Sequence, residues 1–431
     1  MIKTPYKNYL LVMLILIGAT SYFDRFVFSL ALEAIKQDLS LNDSQIGFMS
    51  GIAFAGFYAI AGIPIARWAD RGNRVTILSL SVGLLGIMVS LCGMVINFAQ
   101  LLIARAGVAV GEAGTVPAAQ SLITEYFNRK ERPRAMGIYF MCYPVSMIIG
   151  YIVGGWLIDF FGWRSTFLLL GIPGVLIALV AKLSLRESRL FKERKVVLDQ
   201  PSVKQVFLFL WRQQTFRQIL LSFCVVYFFV MGAMQWSAPF LMRIHSMDAV
   251  EAGMWLAFSW GIGGLLGGYL GGHWATRYAA NKEKIQLRVM AVNIIVYGFI
   301  SVFGYLTENS HIAVFCFFLS AFLVNLANGP IFSMIQSLVT DRMRSVTVAL
   351  VFLFANFIGY GLGPWVVGIV SDLLHSQFGI DSLRYALALS CLGVVWVAAH
   401  YWKASNTIED GINRIESEQA SVEHNKGDAC V

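Results

Sequence analysis

The sequence predicts an all-α membrane protein with twelve transmembrane helices, and three observations support this prediction. Of its 431 residues, 57% are hydrophobic and only 13% are charged, whereas a soluble protein has about 25% charged residues. Apolar runs of about 20 residues, the length that crosses a bilayer, recur along most of the chain. Lysine and arginine concentrate in alternate loops. Because backbone polar groups in lipid must be satisfied within the protein, we expect these runs to be helices.

Twelve spans follow from the apolar runs, in chain order. They cover residues 9–31, 45–66, 75–97, 100–122, 135–158, 164–184, 217–240, 250–273, 287–306, 312–336, 345–370 and 384–403. A polar central loop divides them into two groups of six. The predicted domains are an N-terminal bundle at 1–185, the loop at 186–214, a C-terminal bundle at 215–403 and a polar tail at 404–431. We expect the tail to be disordered, because it has too few apolar residues to pack.

The basic residues predict the orientation of the spans. One side of the membrane receives both termini, the central loop and most of the lysine and arginine. The other side receives only Lys36, Arg164, Arg243 and Arg384. The positive-inside rule therefore predicts a multi-pass protein with both termini in the cytoplasm, which we place in a bacterial inner membrane.

The two predicted bundles share short motifs in the same order. Gln120-Ser-Leu-Ile-Thr124 ends the fourth span and Gln336-Ser-Leu-Val-Thr340 ends the tenth. Gly155-Trp-Leu-Ile-Asp159 ends the fifth span and Gly368-Ile-Val-Ser-Asp372 ends the eleventh. Duplicated, pseudo-symmetric bundles are typical of carriers that work by alternating access about a central site.

The loop after the second span carries a family motif. It reads Ala66-Arg-Trp-Ala-Asp70-Arg71-Gly72-Asn-Arg74, which resembles the cytoplasmic signature of the major facilitator superfamily. It departs from that signature in having Ala66 in place of the first glycine and Gly72 one place early. The resemblance, which extends over residues 9–403, implies the major facilitator fold, a monomer, and a cytoplasmic gate at Asp70, Arg71 and Arg74. The alternative interpretation of these three residues is that they only set the topology.

Two branches of the superfamily share the motifs of the first and fourth spans. Tyr22-Phe-Asp24-Arg25, with Arg105 and Glu112-Ala113, resembles the Spinster-like transporters, a branch linked to lysolipids and sphingoid lipids. The same features occur in the anion:cation symporters, which move sugar acids and similar organic anions. Gln235-Trp236 with Pro239 in the seventh span favours the Spinster-like branch.

Four charged residues lie inside the first and fourth spans. A charge at mid-bilayer costs at least about 2.5–3.5 kcal/mol, so Asp24, Arg25, Arg105 and Glu112 are expected to neutralise one another in the interior. Arg105 and Glu112 share one helix face and are roughly 10 Å apart along the axis. Asp24 and Arg25 point about 100° apart, so we expect one to face the cavity and the other a neighbouring helix.

These charges have two interpretations. In the functional one, Asp24 carries the coupling proton, with Glu112 as the second candidate, because a carboxylate moved away from an arginine into a dry site takes up a proton. Arg25 and Arg105 then bind an anionic headgroup or hold the acids. In the other, the four residues are a structural ion-pair cluster.

The second bundle offers neutral polar groups instead. Aligning the repeats puts Asn328 opposite Glu112 and Ala321 opposite Arg105. Substrate contacts are predicted at Gln235, Trp236, Asn325, Asn328 and Asn356, with Gln336 and Tyr360 also available. Hydrogen bonds between helices explain these residues equally well.

Several other classes of protein are disfavoured. The six cysteines have no paired spacing and no histidine pattern suggests metal ligands, so no metal or cofactor is expected beyond the coupling proton. The spans hold no nucleophile–base pair, which argues against an enzyme. The chain has no nucleotide-binding motif, which an ATP-driven pump would need. The net charge of +8 sits in loops that orient the spans, so the expected partners are a small-molecule or lipid substrate and membrane lipids, not nucleic acid.

Overall fold

The computed structural model describes residues 4–128, 131–187, 202–280, 282–340, 343–415 and 417, except for the side chains of residues 4, 66, 69–71, 133 and 345. Within these ranges the chain is almost entirely helical and has no β-strand. Ten helical stretches in the described part are long and apolar enough to cross a membrane. Two of them, Arg134–Ser184 and Val346–Ser405, have 51 and 60 residues. At 1.5 Å per residue, each is about twice the length that one crossing needs.

Each of these two long stretches is interrupted near its middle. In the first, Gly162 has φ 74° and ψ 160°, a conformation that glycine adopts without strain. In the second, a 3₁₀ turn covers Gly379–Asp381. The ten stretches therefore make twelve crossings, which confirms the predicted fold class.

The twelve crossings are labelled α1 to α12 below, and several consist of consecutive helical pieces. The first four are α1 Thr4–Asp38; α2 Asp43–Phe48, Met49–Ala53 and Phe54–Arg71; α3 Arg74–Cys92; and α4 Phe98–Ala113 and Thr115–Tyr126. A short helix, Arg132–Phe140, precedes α5, and α5 and α6 are the two parts of Cys142–Ser184 before and after Gly162. The last six are α7 Gln214–Ile244; α8 Ala249–Leu256, Ala257–Gly263 and Gly264–Tyr278; α9 Glu283–Leu306; α10 Ser310–Leu326 and Asn328–Ser337; α11 Arg344–Ala355, Asn356–Leu362 and Gly363–Phe378; and α12 Ser382–Ser390, Cys391–Gly393 and Val394–Ser405. The middle pieces of α2, α8 and α11 are π-helical turns.

The structure adds two helices to regions predicted as loop or tail. Val203–Arg212 is a helix within the central loop, started by a capping box in which Ser202 and Gln205 exchange hydrogen bonds. Residues 408–415 are also helical, with Ile408 and Ile415 buried. The expected disorder of the tail is therefore wrong for these residues, because two isoleucines seven positions apart bury one helix face.

The described helices fall into two compact units that interleave along the chain. Unit 1 comprises Met1–Arg194, Ala233–Gly261 and Pro364–Arg384, and unit 2 comprises Lys195–Gly232, Ile262–Gly363 and Tyr385–Val431. Unit 1 thus holds α1–α6 together with parts of α7, α8 and α11 and the first three residues of α12. The predicted division into two bundles of six helices stays a prediction.

Unit 1 has an apolar core to which α1, α3, α4 and the helix before α5 contribute. Leu14, Leu78, Leu122 and Tyr139 are buried together in it. The end of unit 1 where α1 ends and α2 begins is called the distal end below. At the opposite end, Lys7 donates a hydrogen bond of 2.7 Å to Glu131, and this contact lowers the pKa of Glu131 below its usual value.

Unit 2 is held by apolar packing with a few buried polar contacts. The hydroxyls of Ser301 on α9 and Ser320 on α10 hydrogen-bond at 2.9 Å. Asn293 on α9 donates to the backbone oxygen of Leu323 at 2.9 Å. These bonds satisfy polar groups that lipid cannot solvate.

Backbone contact between α3 and α6 in unit 1 yields a testable prediction. A Cβ on Gly86 would lie 2.7 Å from the backbone oxygen of Gly171 and 2.8 Å from the backbone nitrogen of Val175. Because backbone atoms cannot rotate away, we expect Gly86→Ala to lower the free energy of unfolding by about 1–3 kcal/mol. Thermal unfolding in detergent measures this.

Gly83, one turn earlier on α3, provides the matched control. Its added Cβ would make only an ordinary contact of 3.4 Å, with the Ala178 Cβ on the same partner helix. Gly83→Ala should be neutral or slightly stabilising. Equal effects of the two substitutions would contradict the close packing of α3 on α6.

Candidate functional site

The four charged residues of α1 and α4 form two ion pairs inside unit 1. Arg105 donates from Nη1 to Oδ2 of Asp24 at 2.7 Å. Arg25 makes two contacts with Glu112, from Nε to Oε2 at 3.0 Å and from Nη2 to Oε1 at 2.6 Å. Asp24, Arg105 and Glu112 are only 2–3% exposed. The predicted neutralisation of these charges is therefore observed.

The expectation that one of Asp24 and Arg25 faces a cavity stays a prediction. Both reach α4, where Asp24 pairs with Arg105 and Arg25 pairs with Glu112. Two neighbours on one helix straddle the facing helix when their side chains leave at about 100°, and the long arginine side chain supplies the extra reach. The seven-residue spacing on α4 provides a separate partner for each.

Aromatic rings from α1 and α2 surround the two guanidinium groups. The Arg105 guanidinium carbon lies 3.9 Å from the ring centre of Phe28 and 5.2 Å from that of Phe54. The corresponding distance from Arg25 to Phe54 is 4.8 Å. Phe54 thus contacts both arginines through the favourable interaction of a cation with an aromatic face. Phe54 was not predicted as a site residue, because nothing in its local sequence pattern distinguishes it from a lipid-facing phenylalanine.

Further polar side chains border the pairs. Tyr22 on α1 and Tyr58 on α2 lie within electrostatic range of both Arg25 and Glu112. The Tyr22 ring packs edge-on against Tyr143, with ring centres 5.0 Å apart. The Cys92 thiol on α3 lies within electrostatic range of Arg105 and Asp24. The site therefore draws on α1 to α5.

The two carboxylates differ in how fully they are satisfied. Both oxygens of Glu112 contact Arg25. Only one Asp24 oxygen is engaged, because Oδ1 is buried and has no hydrogen-bond partner among the described residues. The Nε atom of Arg105 is also buried and also has no partner among these residues. A buried polar atom left without a partner is energetically costly, so its presence calls for an explanation.

Gln235 and Trp236, predicted to contact substrate, both belong to unit 1. The Trp236 ring is fully buried and donates from Nε1 to the backbone oxygen of Pro364 at 2.9 Å. The backbone oxygen of Gln235 accepts a hydrogen bond of 3.1 Å from Ser29, while its side-chain Nε2 has no partner among the described residues. Their substrate role stays a prediction.

The three predicted asparagines lie in unit 2. Asn328 donates to the side-chain oxygen of Asn325 at 3.0 Å, and Asn325 donates to the backbone oxygen of Ala321 at 2.9 Å. Asn356 is exposed and begins the π-helical turn of α11. Bonding within one helix accounts for Asn325 and Asn328 at present, and a substrate role is untested for all three.

The predicted cytoplasmic gate is only partly visible. The side chains of Asp70 and Arg71 lie outside the described residues. Arg74, at the start of α3, is buried and pairs with Glu125 of α4. Glu125 is an acid that the sequence analysis did not single out, since it sits at the end of a span where an unpaired charge is also acceptable.

A second charged cluster occupies the distal end of unit 1. Arg243 at the end of α7 contacts Glu33 of α1 at 2.9 Å and Asp43 of α2 at 2.8 Å. Lys36 reaches the same Asp43 at 2.6 Å, and the Ser371 hydroxyl donates to it at 2.7 Å. In the sequence, Arg243 was interpreted only as one of the few basic residues on its side of the membrane. Its occurrence on the side that is poor in basic residues was the available signal for a special role.

Twelve membrane crossings with ion pairs buried among them are typical of membrane transport proteins of the secondary-carrier kind. The model that describes the Major Facilitator Superfamily matches residues 14–364. The chain therefore belongs to the Major Facilitator Superfamily, as the motifs predicted.

Relatives and solved structures agree with this assignment. An "MFS-type efflux pump" of Mycolicibacterium smegmatis is 31% identical over 393 residues, covering 91% of each chain. A "Probable L-galactonate transporter" of Escherichia coli is 24% identical, covering 90% of this chain and 86% of the relative. Among solved structures, a bacterial homologue of the human lysosomal transporter Spinster, in an inward-facing and unoccupied conformation, has a TM-score of 0.83 at 29% identity. That match covers 95% of this chain and 99% of the other. Both predicted branches are thus represented.

Proposed function

We propose that the protein is a proton-coupled secondary transporter that works by alternating access and moves an amphipathic lipid, such as a lysolipid or a sphingoid lipid. The proposal includes a bacterial inner-membrane location, with both termini in the cytoplasm and the distal end facing outward. A monomer suffices for this mechanism, and the proton is the only coupling ion.

The buried Asp24–Arg105 pair is the observation that carries the proposal. One Asp24 oxygen accepts a hydrogen bond of 2.7 Å from Arg105, and the other oxygen has no hydrogen-bond partner in the described structure. A proton added to this oxygen would leave the existing contact in place. The Arg25–Glu112 pair has both carboxylate oxygens engaged, so protonating Glu112 requires an existing contact to break. This difference supports Asp24 as the proton carrier and Glu112 as the second candidate.

The proposed coupling follows from the charges. While Arg105 stays beside Asp24, the carboxylate remains ionised, and a conformational change that separates them favours protonation. Once the pair has separated and Asp24 is protonated, Arg105 is free to bind the phosphate or carboxylate of a substrate headgroup, and Arg25 acts in the same way when Glu112 is protonated. The planar guanidinium suits this bidentate role. Loss of substrate returns each arginine to its acid.

The lipid assignment rests on the likeness to the bacterial Spinster homologue, at 29% identity over nearly the whole chain. The likeness to an L-galactonate transporter over 90% of this chain favours a second candidate, the proton-coupled symport of a small organic anion such as a sugar acid. A sugar acid presents a carboxylate to the same two arginines, so the buried pairs are compatible with either cargo.

Reconstitution into liposomes tests both assignments. Uptake of radiolabelled lysolipids, sphingoid lipids and sugar acids is measured with and without an imposed pH gradient. We expect one class to accumulate only with the gradient. Uptake that ignores the gradient would overturn the coupling, and gradient-driven uptake of sugar acids alone would establish the second candidate.

Asp24→Asn is the variant that addresses the coupling step. We expect gradient-driven accumulation to fall at least tenfold, while exchange of substrate across a membrane without a gradient is retained, because exchange needs no net proton transfer. Asp381→Asn is the control, since Asp381 is 44% exposed and pairs with the nearby Arg384. Wild-type accumulation by Asp24→Asn would assign the proton to another group.

A further inference from the structure

The Gly-x-x-x-Asp motif in the second half of α5 and of α11 places a carboxylate on the first turn of another helix. Asp372 of α11 accepts the backbone N–H of Asp43 on Oδ1 at 3.0 Å and that of Ser44 on Oδ2 at 2.7 Å. The Ser44 hydroxyl also donates to it. Two N–H groups that α2 leaves without an intrahelical partner are thereby satisfied from outside the helix.

The same arrangement recurs in the repeated half of the chain. Asp159 of α5 accepts the N–H of Ala249 on Oδ1 at 3.3 Å and that of Val250 on Oδ2 at 3.2 Å. Ala249 and Val250 are the first two residues of α8, as Asp43 and Ser44 are of α2. Each aspartate thus binds the first turn of a helix from the opposite half of the repeat. A carboxylate at this position also interacts favourably with the positive end of the helix dipole.

Glycines on both partners bring the backbones together. A Cβ on Gly368, four residues before Asp372, would lie 2.3 Å from the backbone oxygen of Asp43. A Cβ on Gly155, four residues before Asp159, would lie 2.3 Å from the backbone oxygen of Ala249. The glycine and the aspartate of each motif therefore work together, since the close approach that the glycine permits sets the carboxylate over the helix end.

Each capped helix also has a glycine where it packs against the backbone of α11 or α5. A Cβ on Gly47 of α2 would be 2.4 Å from the Pro364 oxygen, and one on Gly253 of α8 would be 2.2 Å from the Tyr151 oxygen. Both glycines are the fifth residue of their helix. Sequence, capping and packing thus repeat together at two places within unit 1.

A π-helical turn follows each capped segment. In α2 the turn is Met49–Ala53, and in α8 it is Ala257–Gly263. Such turns interrupt the regular hydrogen-bond ladder and occur at helix bends. The boundary between the two compact units falls inside the turn of α8, between Gly261 and Ile262. Each carboxylate therefore binds the short first segment of a capped helix, and the π-helical turn after that segment is where the capped helix can bend.

We propose that Asp159 and Asp372 are two halves of a latch that holds the distal end of the transporter closed, and that both must release their helix for the site to open on that side. The latch rests on the proposed alternating-access function. In the orientation proposed above, this end faces the outside. The Gly-x-x-x-Asp motifs then serve to set the balance between the two access states, and not to bind substrate or protons.

The test follows the accessibility of a buried position near the distal end. Ser29 of α1 is 3% exposed and bonds to the backbone of α7, so Ser29→Cys is the reporter, in a chain whose six native cysteines are replaced by serine. A membrane-impermeant methanethiosulfonate reagent is added outside right-side-out vesicles. We expect Asp159→Ala and Asp372→Ala each to raise the labelling rate about tenfold, the effect of losing one helix cap. The double variant should approach a hundredfold if the two caps act independently.

The same two helices supply matched controls. Asn42 caps α2 and Asp248 caps α8 from within, accepting from Gln45 at 2.8 Å and Glu251 at 2.7 Å. Asn42→Ala and Asp248→Ala remove a cap of similar strength without touching α5 or α11. We expect both to leave the labelling rate within twofold of the parent. If removal of Asn42 or Asp248 raises the labelling rate as much as removal of Asp159 or Asp372, the latch is overturned.

Two further variants keep the test decisive if an alanine variant does not fold. Gly368→Ala retains the carboxylate but separates the backbones, and should also speed labelling about tenfold, whereas Gly272→Ala, with open space around its Cβ, should not. No acceleration by Gly368→Ala would count against the latch. The labelling readout needs neither substrate nor a pH gradient, so a failed latch is distinct from a failed transport assignment, which the liposome assays decide.

Discussion

Arg105→Met is expected to lower the free energy of unfolding by about 3–5 kcal/mol, because it leaves the Asp24 carboxylate buried without a counter-charge. The side chains of Arg105 and Asp24 are only 4% and 3% exposed, so water cannot replace the lost contact. The guanidinium also packs on the Phe28 ring. Denaturant unfolding in detergent, followed through the reactivity of the buried cysteines with a fluorescent maleimide, measures the loss.

A double variant separates the charge effect from the packing effect. Asp24→Asn with Arg105→Met removes both charges and should recover about 2 kcal/mol or more of the loss. Arg25→Met is the comparison on the second pair, and its effect should be smaller because the Arg25 side chain is 18% exposed. If the double variant is as unstable as Arg105→Met, the ion pair does not account for the stability of this site.

Arg243→Met is expected to have the second largest effect, a loss of about 3 kcal/mol in the free energy of unfolding. Arg243 is shared between Asp43 and Glu33, and its side chain is 10% exposed. Removing it leaves two acids close together with a reduced positive charge. The same detergent assay measures the change.

Lys36→Met is the matched control, because Lys36 contacts the same Asp43 carboxylate at 2.6 Å. Its side chain is 24% exposed, so its contact is partly screened and should contribute less than about 1 kcal/mol. Equal losses for the two cations would contradict the greater burial of the Arg243 contacts. A small loss for Arg243→Met, with faster labelling of the Ser29→Cys reporter, would mean that the distal end opens to water instead of the protein unfolding.

Much of the fold was predictable because the membrane acts on each segment separately. An apolar run of sufficient length becomes a helix wherever it lies, and loop charges orient it without reference to its neighbours. The number of crossings and the family could therefore be predicted from the chain. The span ends were less accurate: α1 extends from Thr4 to Asp38, beyond the predicted 9–31, because polar residues continue a helix outside the hydrocarbon layer.

The residues of the site were predictable from the sequence, but the contacts between them were not. The cost of a charge in lipid singles out Asp24, Arg25, Arg105 and Glu112 and requires them to meet. It cannot say which acid pairs with which arginine, because this depends on the rotation of α1 and α4 about their axes. Phe54 went unnoticed for the same reason, since a phenylalanine has the same local pattern against lipid as against a guanidinium.

The sequence by itself determined that the chain is a twelve-helix carrier of the Major Facilitator Superfamily with four charges confined to its first half, since hydropathy and charge act residue by residue. The tertiary structure decided what those residues and the repeated motifs do. It paired Asp24 with Arg105 and left one Asp24 oxygen unbonded. It also set Asp159 and Asp372 on the first turns of helices about 90 and 330 positions away in the chain. Contacts over such separations depend on how helices pack, and no local pattern encodes that packing.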